Sequence, residues 1–315
     1  MTLEGDTILI TGAAGFIGYN FTEYITKKYP KTKFIGLDKI SYCSTKSIFN
    51  LKRSNFTFVQ CNLLNLDHLE EVFEKGIDIV IHFAAYTHVD LSFGNSLKFT
   101  KNNILGTHNL VECARKYPVK RFIHVSTDEV YGSKDTISTE TSLLEPTNPY
   151  SATKAGAEHI VSSYYHSFKV PVIITRGNNV YGPHQYPDKL IPLFILNLHN
   201  EKECNIHGSG DQLRSFLHVN DCIKAFETIL LKGKISEIYN ISSKDEFSVN
   251  EIYDMLCNKL KIKGTSKNVK DRHFNDHRYQ IDSSKLESLG WKQEIFMDEG
   301  LTDTIKWYID NSHLY

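Results

Sequence analysis

The sequence predicts an α/β fold: a doubly wound parallel sheet with a smaller C-terminal lobe that completes a ligand site. Three observations predict it. Short apolar runs of strand type alternate with helical patterns along the chain of 315 residues, and such alternation builds a parallel sheet covered by helices on both faces. The first apolar run ends in a glycine-spaced turn that opens a helix. Further on, the polar stretch Ser126-Thr127-Asp128-Glu129-Val130-Tyr131-Gly132 directly follows an apolar run, at the carboxyl end of a strand, where open α/β sheets bind ligands.

Composition narrows the class. Apolar residues make up 41% and charged residues 23% of the chain, with a net charge of −1, which is the balance of a soluble globular protein. No basic block offers an electrostatic footprint for nucleic acid or membrane. The six cysteines form no Cys-x-x-Cys pair, so they are expected to be reduced and packed, with no metal site. The N-terminus lacks the charged-then-apolar profile of a signal peptide, and no apolar run reaches transmembrane length. The expected compartment is the cytoplasm.

Thr7-Ile8-Leu9-Ile10 reads as the first strand and runs into Thr11-Gly12-Ala13-Ala14-Gly15-Phe16-Ile17-Gly18. Strand, glycine turn and helix are the context of a Rossmann-type dinucleotide fingerprint. The glycines let the backbone approach a pyrophosphate, and its charge rests on the helix N-terminus. That helix extends from Phe16 to about Tyr29 and stops at Pro30. Phe34-Ile35-Gly36-Leu37-Asp38 ends the second strand with an acid that suits the adenosine ribose hydroxyls and repels a 2′-phosphate, so NAD is preferred over NADP. Phe56 to Gln60 reads as strand, Leu66 to Lys75 as helix, Asp78 to Phe83 as strand, 97–117 as helix and Lys120 to Val125 as strand. His82 and His124 fall inside strands and are expected to be satisfied core residues.

Tyr150 and Lys154 lie four apart in a helical segment, so they share a face. An ammonium beside a phenol favours the phenolate, which makes Tyr150 a candidate base. Val172 to Arg176 is a further strand, and Gly177-Asn178-Asn179-Val180-Tyr181-Gly182-Pro183 is a turn-rich break. The dinucleotide-binding domain is expected to cover 1–178 plus about 215–242. The second lobe takes about 179–214 and 243–315. Within these, Leu190 to Leu198, Asp221 to Leu231, Val249 to Leu260 and Glu299 to Ile309 read as helices, while Arg214 to Val219 and Ile238 to Ile241 read as strands. The helices around 97–117 and 150–168 carry apolar residues beyond one core stripe, which predicts a homodimer through a four-helix contact.

With these motifs assembled, the chain resembles the extended short-chain dehydrogenase/reductase family, and within it the nucleotide-sugar 4,6-dehydratases. The markers are the glycine turn, Ala84-Ala85-Tyr86-Thr87-His88-Val89-Asp90, the Thr127-Asp128-Glu129 stretch, Pro149-Tyr150-Ser151-Ala152-Thr153-Lys154, Arg272 through Tyr279, and Thr175 through Pro183. The last stretch is similar to the dehydratase domain of plant rhamnose synthases, which implies UDP-glucose as substrate; dTDP-glucose is the alternative. The resemblance implies Thr127, Asp128, Glu129, Tyr150 and Lys154 as catalytic residues. It implies NAD contacts from Gly12, Gly15, Phe16, Ile17, Gly18, Asp38, Asn62, Leu63, Ala84, Ala85, Tyr86 and Asn102, besides Tyr150 and Lys154. Substrate contacts are implied for Thr87, Thr127, Asn179, Lys189, Leu190, His207, Arg214, Arg272 and Asn275. Tyr86 departs from the usual Glu or Gln, Asn62 from an acid, and Val180 from a second asparagine. A UDP-sugar 4-epimerase and a catalytically silent NAD-binding protein are the competing readings. The acidic pair argues against the first, and the intact Thr127, Tyr150 and Lys154 set argues against the second.

Overall fold

The computed structural model describes residues 2–134, 136–271 and 278–314. Its centre is a seven-stranded parallel sheet. In chain order the elements begin β1 (Thr7–Thr11), α1 (Phe16–Lys28), β2 (Lys33–Asp38), β3 (Phe56–Gln60), α2 (Leu66–Phe73) and β4 (Ile79–His82). Two short helices follow, α3 (Val89–Gly94) and α4 (Ser96–Phe99), and a π-turn over Thr100–Leu105 leads into α5 (Gly106–Lys116). Then come β5 (Arg121–Val125), a 3₁₀ turn over Asp128–Tyr131, α6 (Pro149–Phe168) and β6 (Val172–Gly177).

Parallel strands are buried on both faces and so read as unbroken apolar runs. β1 shows the consequence. Ile8 and Ile10 face one layer with Phe21 and Ile25 of α1, while Leu9 faces the other with Leu69 of α2, Leu110 of α5 and Val161 of α6. Truncating a fully buried side chain such as Leu9 to alanine costs about 2–5 kcal/mol. From β1 the chain builds β2 and β3 on one side, then crosses to β4, β5 and β6 on the other. The reversal between β1 and β4 is the switch point at which α/β sheets open a crevice.

The rest of the chain is β7 (Asn179–Tyr181), α7 (Leu190–His199), β8 (Cys204–His207), β9 (Leu213–His218), α8 (Val219–Lys232), β10 (Ile238–Ile241), β11 (Glu246–Ser248), α9 (Val249–Leu260), β12 (Ser266–Val269), α10 (Ser284–Glu287) and α11 (Met297–Asp310). β10 completes the large sheet beside β6, whereas β11, β9 and β7 form a sheet of their own and β12 pairs with β8. A separate apolar core joins Phe194 of α7, Leu256 of α9 and Leu301 of α11.

Two expected boundaries differ. The strand expected to enter the dinucleotide-binding domain near residue 215, β9, pairs with β7 and β11 instead. It straddles the two cores, with Phe216 in the smaller and Leu217 in the larger. The run expected to belong wholly to the second lobe, 243–315, returns part-way to the large sheet, because Leu286 and Trp291 pack into the core of α1 and α8. Trp291 is fixed there by its indole N–H on the Asp221 carbonyl at 3.0 Å. Among the described residues, no helix is long and apolar enough to cross a membrane.

Candidate active site

The cavity lies above the switch point and has a volume of about 730 Å³. Its floor is the turn after β1. Gly12 has φ of +71°, and a Cβ there would lie 2.7 Å from the Ala84 backbone nitrogen; a Cβ on Gly18 would lie 2.1 Å from the Gly12 carbonyl oxygen. Bare backbone therefore forms the cradle at the start of α1. Gly15 caps that helix without a side-chain bond, and the first turn carries no acid. Gly12, Gly15, Phe16, Ile17 and Gly18 all line the cavity. Such an open, uncapped helix start suits a pyrophosphate.

Asp38 ends β2 beside this turn. Its carboxylate accepts from the Ala14 N–H at 3.1 Å and the Ile40 N–H at 2.8 Å. Burial pushes its pKa up, against those two bonds. Asp38 is not itself part of the cavity wall, and neither are Asn62, Leu63, Ala84 or Asn102. Asn62 is exposed and turns its oxygen to the Leu64 N–H at 3.1 Å. Asn102 accepts from the Lys39 ammonium, which lies 3.7 Å from the centre of the Tyr86 ring. Ala85 and Tyr86 do line the cavity. The Tyr86 backbone is held on both sides by Asn103, at 2.8 Å through its N–H and 3.0 Å through its carbonyl.

The reactive groups meet where β5 ends. Asn148 caps α6 in a reciprocal bond with Ser151, and Pro149 occupies the first turn, a combination that fixes the helix start. This sets Tyr150 and Lys154 against the end of β5. The Lys154 ammonium donates to the Val125 carbonyl at 2.5 Å. Burial draws the Lys154 pKa down to about 8, and Glu158 opposes that fall. The phenol departs from expectation: burial, then Glu129, push its pKa well up, and the Thr127 hydrogen bond opposes them only in part. Desolvation and the facing Glu129 carboxylate thus govern the phenol.

Thr127 caps the turn that presents the two acids. Asp128 is buried, accepting from Asn178 Nδ2 at 2.6 Å and from the Thr127 hydroxyl at 3.2 Å. Burial, then Glu129, push its pKa up to about 7. Glu129 instead lines the cavity, with Asn148 Nδ2 at 3.0 Å from its carboxylate. One acid is thus enclosed and readily protonated, and its neighbour faces the open space.

The two strand histidines differ. His82 is satisfied, with Nδ1 2.7 Å from the Thr11 hydroxyl and Nε2 2.8 Å from that of Thr107. Thr107 donates its own proton to the Asn103 carbonyl at 2.6 Å, so Nε2 carries the hydrogen and Nδ1 accepts from Thr11. His124 was expected to be satisfied too, yet neither ring nitrogen has a hydrogen-bond partner among the described residues. Burial and the Lys154 charge hold it neutral.

The cavity wall also carries Thr87, Asn179, Lys189, Leu190, His207 and Arg214. Lys189 donates to the Thr87 carbonyl at 3.0 Å, and the Arg214 guanidinium lies 5.1 Å from the Tyr279 ring centre. Arg272 and Asn275 lie outside the described residues. The structure adds residues that sequence reasoning missed. Asn148 was legible as a cap before Pro149, and Asn178 as part of the turn after β6. Asn205, Gln212 and Tyr279, also on the wall, carried no readable signal.

A family model described as GDP-mannose 4,6 dehydratase matches residues 9–304. The chain belongs to that family. Within this dehydratase family the chain is 46% identical to a dTDP-D-glucose 4,6-dehydratase of Dictyostelium discoideum, over 98% of this chain and 82% of that protein. It is 48% identical to the trifunctional UDP-glucose 4,6-dehydratase/UDP-4-keto-6-deoxy-D-glucose 3,5-epimerase/UDP-4-keto-L-rhamnose-reductase of Arabidopsis thaliana, over 96% of this chain and 47% of that protein. The chain therefore spans about half the length of the plant relative. The crystal structure of DesIV, a dTDP-glucose 4,6-dehydratase from Streptomyces venezuelae with NAD bound, superposes with a TM-score of 0.95 at 35% identity, covering 98% of each chain.

Proposed function

We propose that the chain is an NAD-dependent hydro-lyase that removes water from glucose carried on a pyrimidine nucleoside diphosphate, leaving the 4-keto-6-deoxy sugar. The observation that carries the reading is the pair Asp128 and Glu129. An enclosed carboxyl raised to about 7 stands beside one open to the cavity, and neighbouring acids driven apart in this way divide into donor and acceptor. A 4-epimerase needs no such pair.

The hydrogen on C5 of glucose is not acidic until C4 becomes a ketone. NAD, when bound, supplies the acceptor for the C4 hydride, its later return to C6, and a positive charge beside the phenol. Tyr150 takes the C4 hydroxyl proton, helped by the Lys154 ammonium. Thr127 holds the C4 oxygen as its charge grows. Glu129 removes the C5 proton while Asp128 gives its own proton to the C6 hydroxyl, which leaves as water. Glu129 then returns a proton to C5. The backbone cradle of Gly12, Gly15 and Gly18 fits the cofactor's pyrophosphate, with Asp38 at its adenosine ribose.

In this reading Lys189, Arg214 and Asn179 form the diphosphate clamp, since a guanidinium gives a planar bidentate match to phosphate oxygens. The Thr175–Pro183 stretch and the 48% identity to the plant enzyme favour UDP-glucose. The relative of matching length and the structural neighbour favour dTDP-glucose, which is the better supported of the two by resemblance over whole chains. Incubation with each sugar nucleotide alone and then in competition, followed by product mass, tests both levels. Loss of water is expected, and conservation of mass would replace dehydration by epimerisation. The ratio of kcat/KM values assigns the nucleotide.

A further inference from the structure

The buried ion pair between Glu158 and Arg176 takes no part in the dehydration steps. Glu158 lies one helical turn beyond Lys154 on α6, and Arg176 near the end of β6; they are 2% and 4% exposed. The guanidinium grips the carboxylate from two nitrogens, Nη2 at 2.7 Å from Oε2 and Nε at 3.2 and 3.1 Å from both oxygens. Its remaining arm, Nη1, donates to the Tyr131 hydroxyl at 2.8 Å, and that hydroxyl donates to Asn240 Oδ1 at 2.8 Å. Tyr131 closes the 3₁₀ turn whose first two residues are Asp128 and Glu129. One guanidinium thus connects the acid-bearing turn to the helix that carries Tyr150 and Lys154.

We propose that Glu158 and Arg176 are positioning residues: Glu158 is the counter-charge that keeps Lys154 an ammonium, and Arg176 braces, through Tyr131, the turn that aims Asp128 and Glu129. A lone lysine in a dry site sheds its proton, and a carboxylate one turn away resists that. The other titratable groups around Lys154 do not serve. His124 of β5 and His82 of β4 are held neutral, by burial and by Lys154 itself. Burial, then Glu129 and to a lesser extent Asp128, push the Tyr150 phenol up, so before the cofactor binds it supplies Lys154 no counter-anion. Glu158 is the anion that sustains the Lys154 charge. Arg176 holds that carboxylate in place, while it is Glu158 that bears on the Lys154 charge.

The inference rests on the dehydratase reading for its rate assay, but not for its titration. The protein is labelled with ¹³C at lysine Cε, and the Lys154 resonance is identified by its absence in Lys154→Met. Replacing both partners by neutral side chains, Glu158→Gln with Arg176→Met, avoids leaving one charge buried alone. In that variant the Lys154 midpoint should fall by about one pH unit, and the alkaline limb of the pH–rate profile should move with it. Glu158→Asp keeps the charge and should restore the midpoint. Tyr131→Phe should lower kcat with the midpoint in place. A midpoint that stays put in the double variant overturns the proposal, and so does a double variant that cannot fold, since the pair would then be purely structural. If the wild type turns over neither sugar nucleotide, the functional reading falls while the titration still decides this one.

Discussion

Replacing Asp128 by asparagine should make the protein more stable and nearly inactive. The carboxyl is 3% exposed, and its pKa is pushed up to about 7 by burial first and Glu129 second. In the unfolded chain it returns to 3.8. The folded value lies above the unfolded one, so this group's contribution to stability is fully present below about pH 4 and is lost as pH rises through about 7. At ~1.4 kcal/mol per pH unit, keeping the ionised carboxylate in the fold costs up to ~4 kcal/mol at about pH 8. Asparagine removes the ionisation and can still turn an oxygen to Asn178, now 2.6 Å away. Relaxation and the coupling to Glu129 reduce the expected gain to ~2–4 kcal/mol. Urea unfolding of both proteins at about pH 5 and about pH 8 reads it, because the difference between them isolates this group. The variant should gain on the wild type as pH rises, while dehydration falls about a hundredfold to ten-thousandfold. A variant no more stable than wild type at the higher pH would refute the argument that Asp128 is an enclosed, protonated acid.

Tyr150→Phe should suppress the first hydride transfer, so mixing with substrate gives little absorbance from reduced nicotinamide; NADH formation at the normal rate would remove Tyr150 from its role. Glu129→Gln leaves that step largely intact and should slow elimination by about a hundredfold or more, so reduced nicotinamide and the 4-keto-glucose stage should accumulate in a single turnover. The position of Asp38 beside the glycine turn predicts that NAD binds more tightly than NADP, which calorimetry with each cofactor checks; Asp38→Ala should narrow the gap. Leu97, Leu105 and Phe168, exposed by 74%, 48% and 53% on α4, the π-turn and α6, predict a homodimer by light scattering at micromolar concentration; a monomeric mass counts against it.

What could be read from the sequence was whatever repeats or terminates. The strand runs Ile8 to Ile10, Val80 to Ile81 and Phe122 to Ile123 are buried on both faces, so their apolar character survived into the pattern. Gly12 and Gly18 announced themselves because nothing larger fits. Asp128 and Glu129 were legible as chemistry, yet their division into an enclosed and an open acid was not, since it depends on Asn178 and Asn148 arriving from distant segments. The short strands β7, β8, β11 and β12 escaped notice because each mixes polar and apolar residues over three or four positions, with no continuous apolar run to mark it. The boundary near β9 was misplaced for a related reason: alternate side chains of one strand feed two different cores, and a linear reading assigns the strand to one. The unpartnered His124 could not be foreseen, because satisfaction is a property of neighbours across the sheet.

The wide turn at Thr100–Leu105 has a consequence for insertions and deletions. In an α-helix each added residue rotates the rest of the helix by about 100°, and a π-turn holds one residue more than its α counterpart. Phe99 before the turn is buried, as are Asn103 within it and Thr107 after it, and together they serve Tyr86, Thr153 and His82. Deleting one residue here, Lys101 for instance, would let the helix run on as a regular one and keep its backbone bonds. Because the π-turn already holds one residue more, the two halves would stay in phase, and Phe99 and Asn103, then three apart, would still share the inward face. The segment is therefore a frame adjuster: it can lose one residue without turning Phe99, Asn103 and Thr107 away from Tyr86, Thr153 and His82.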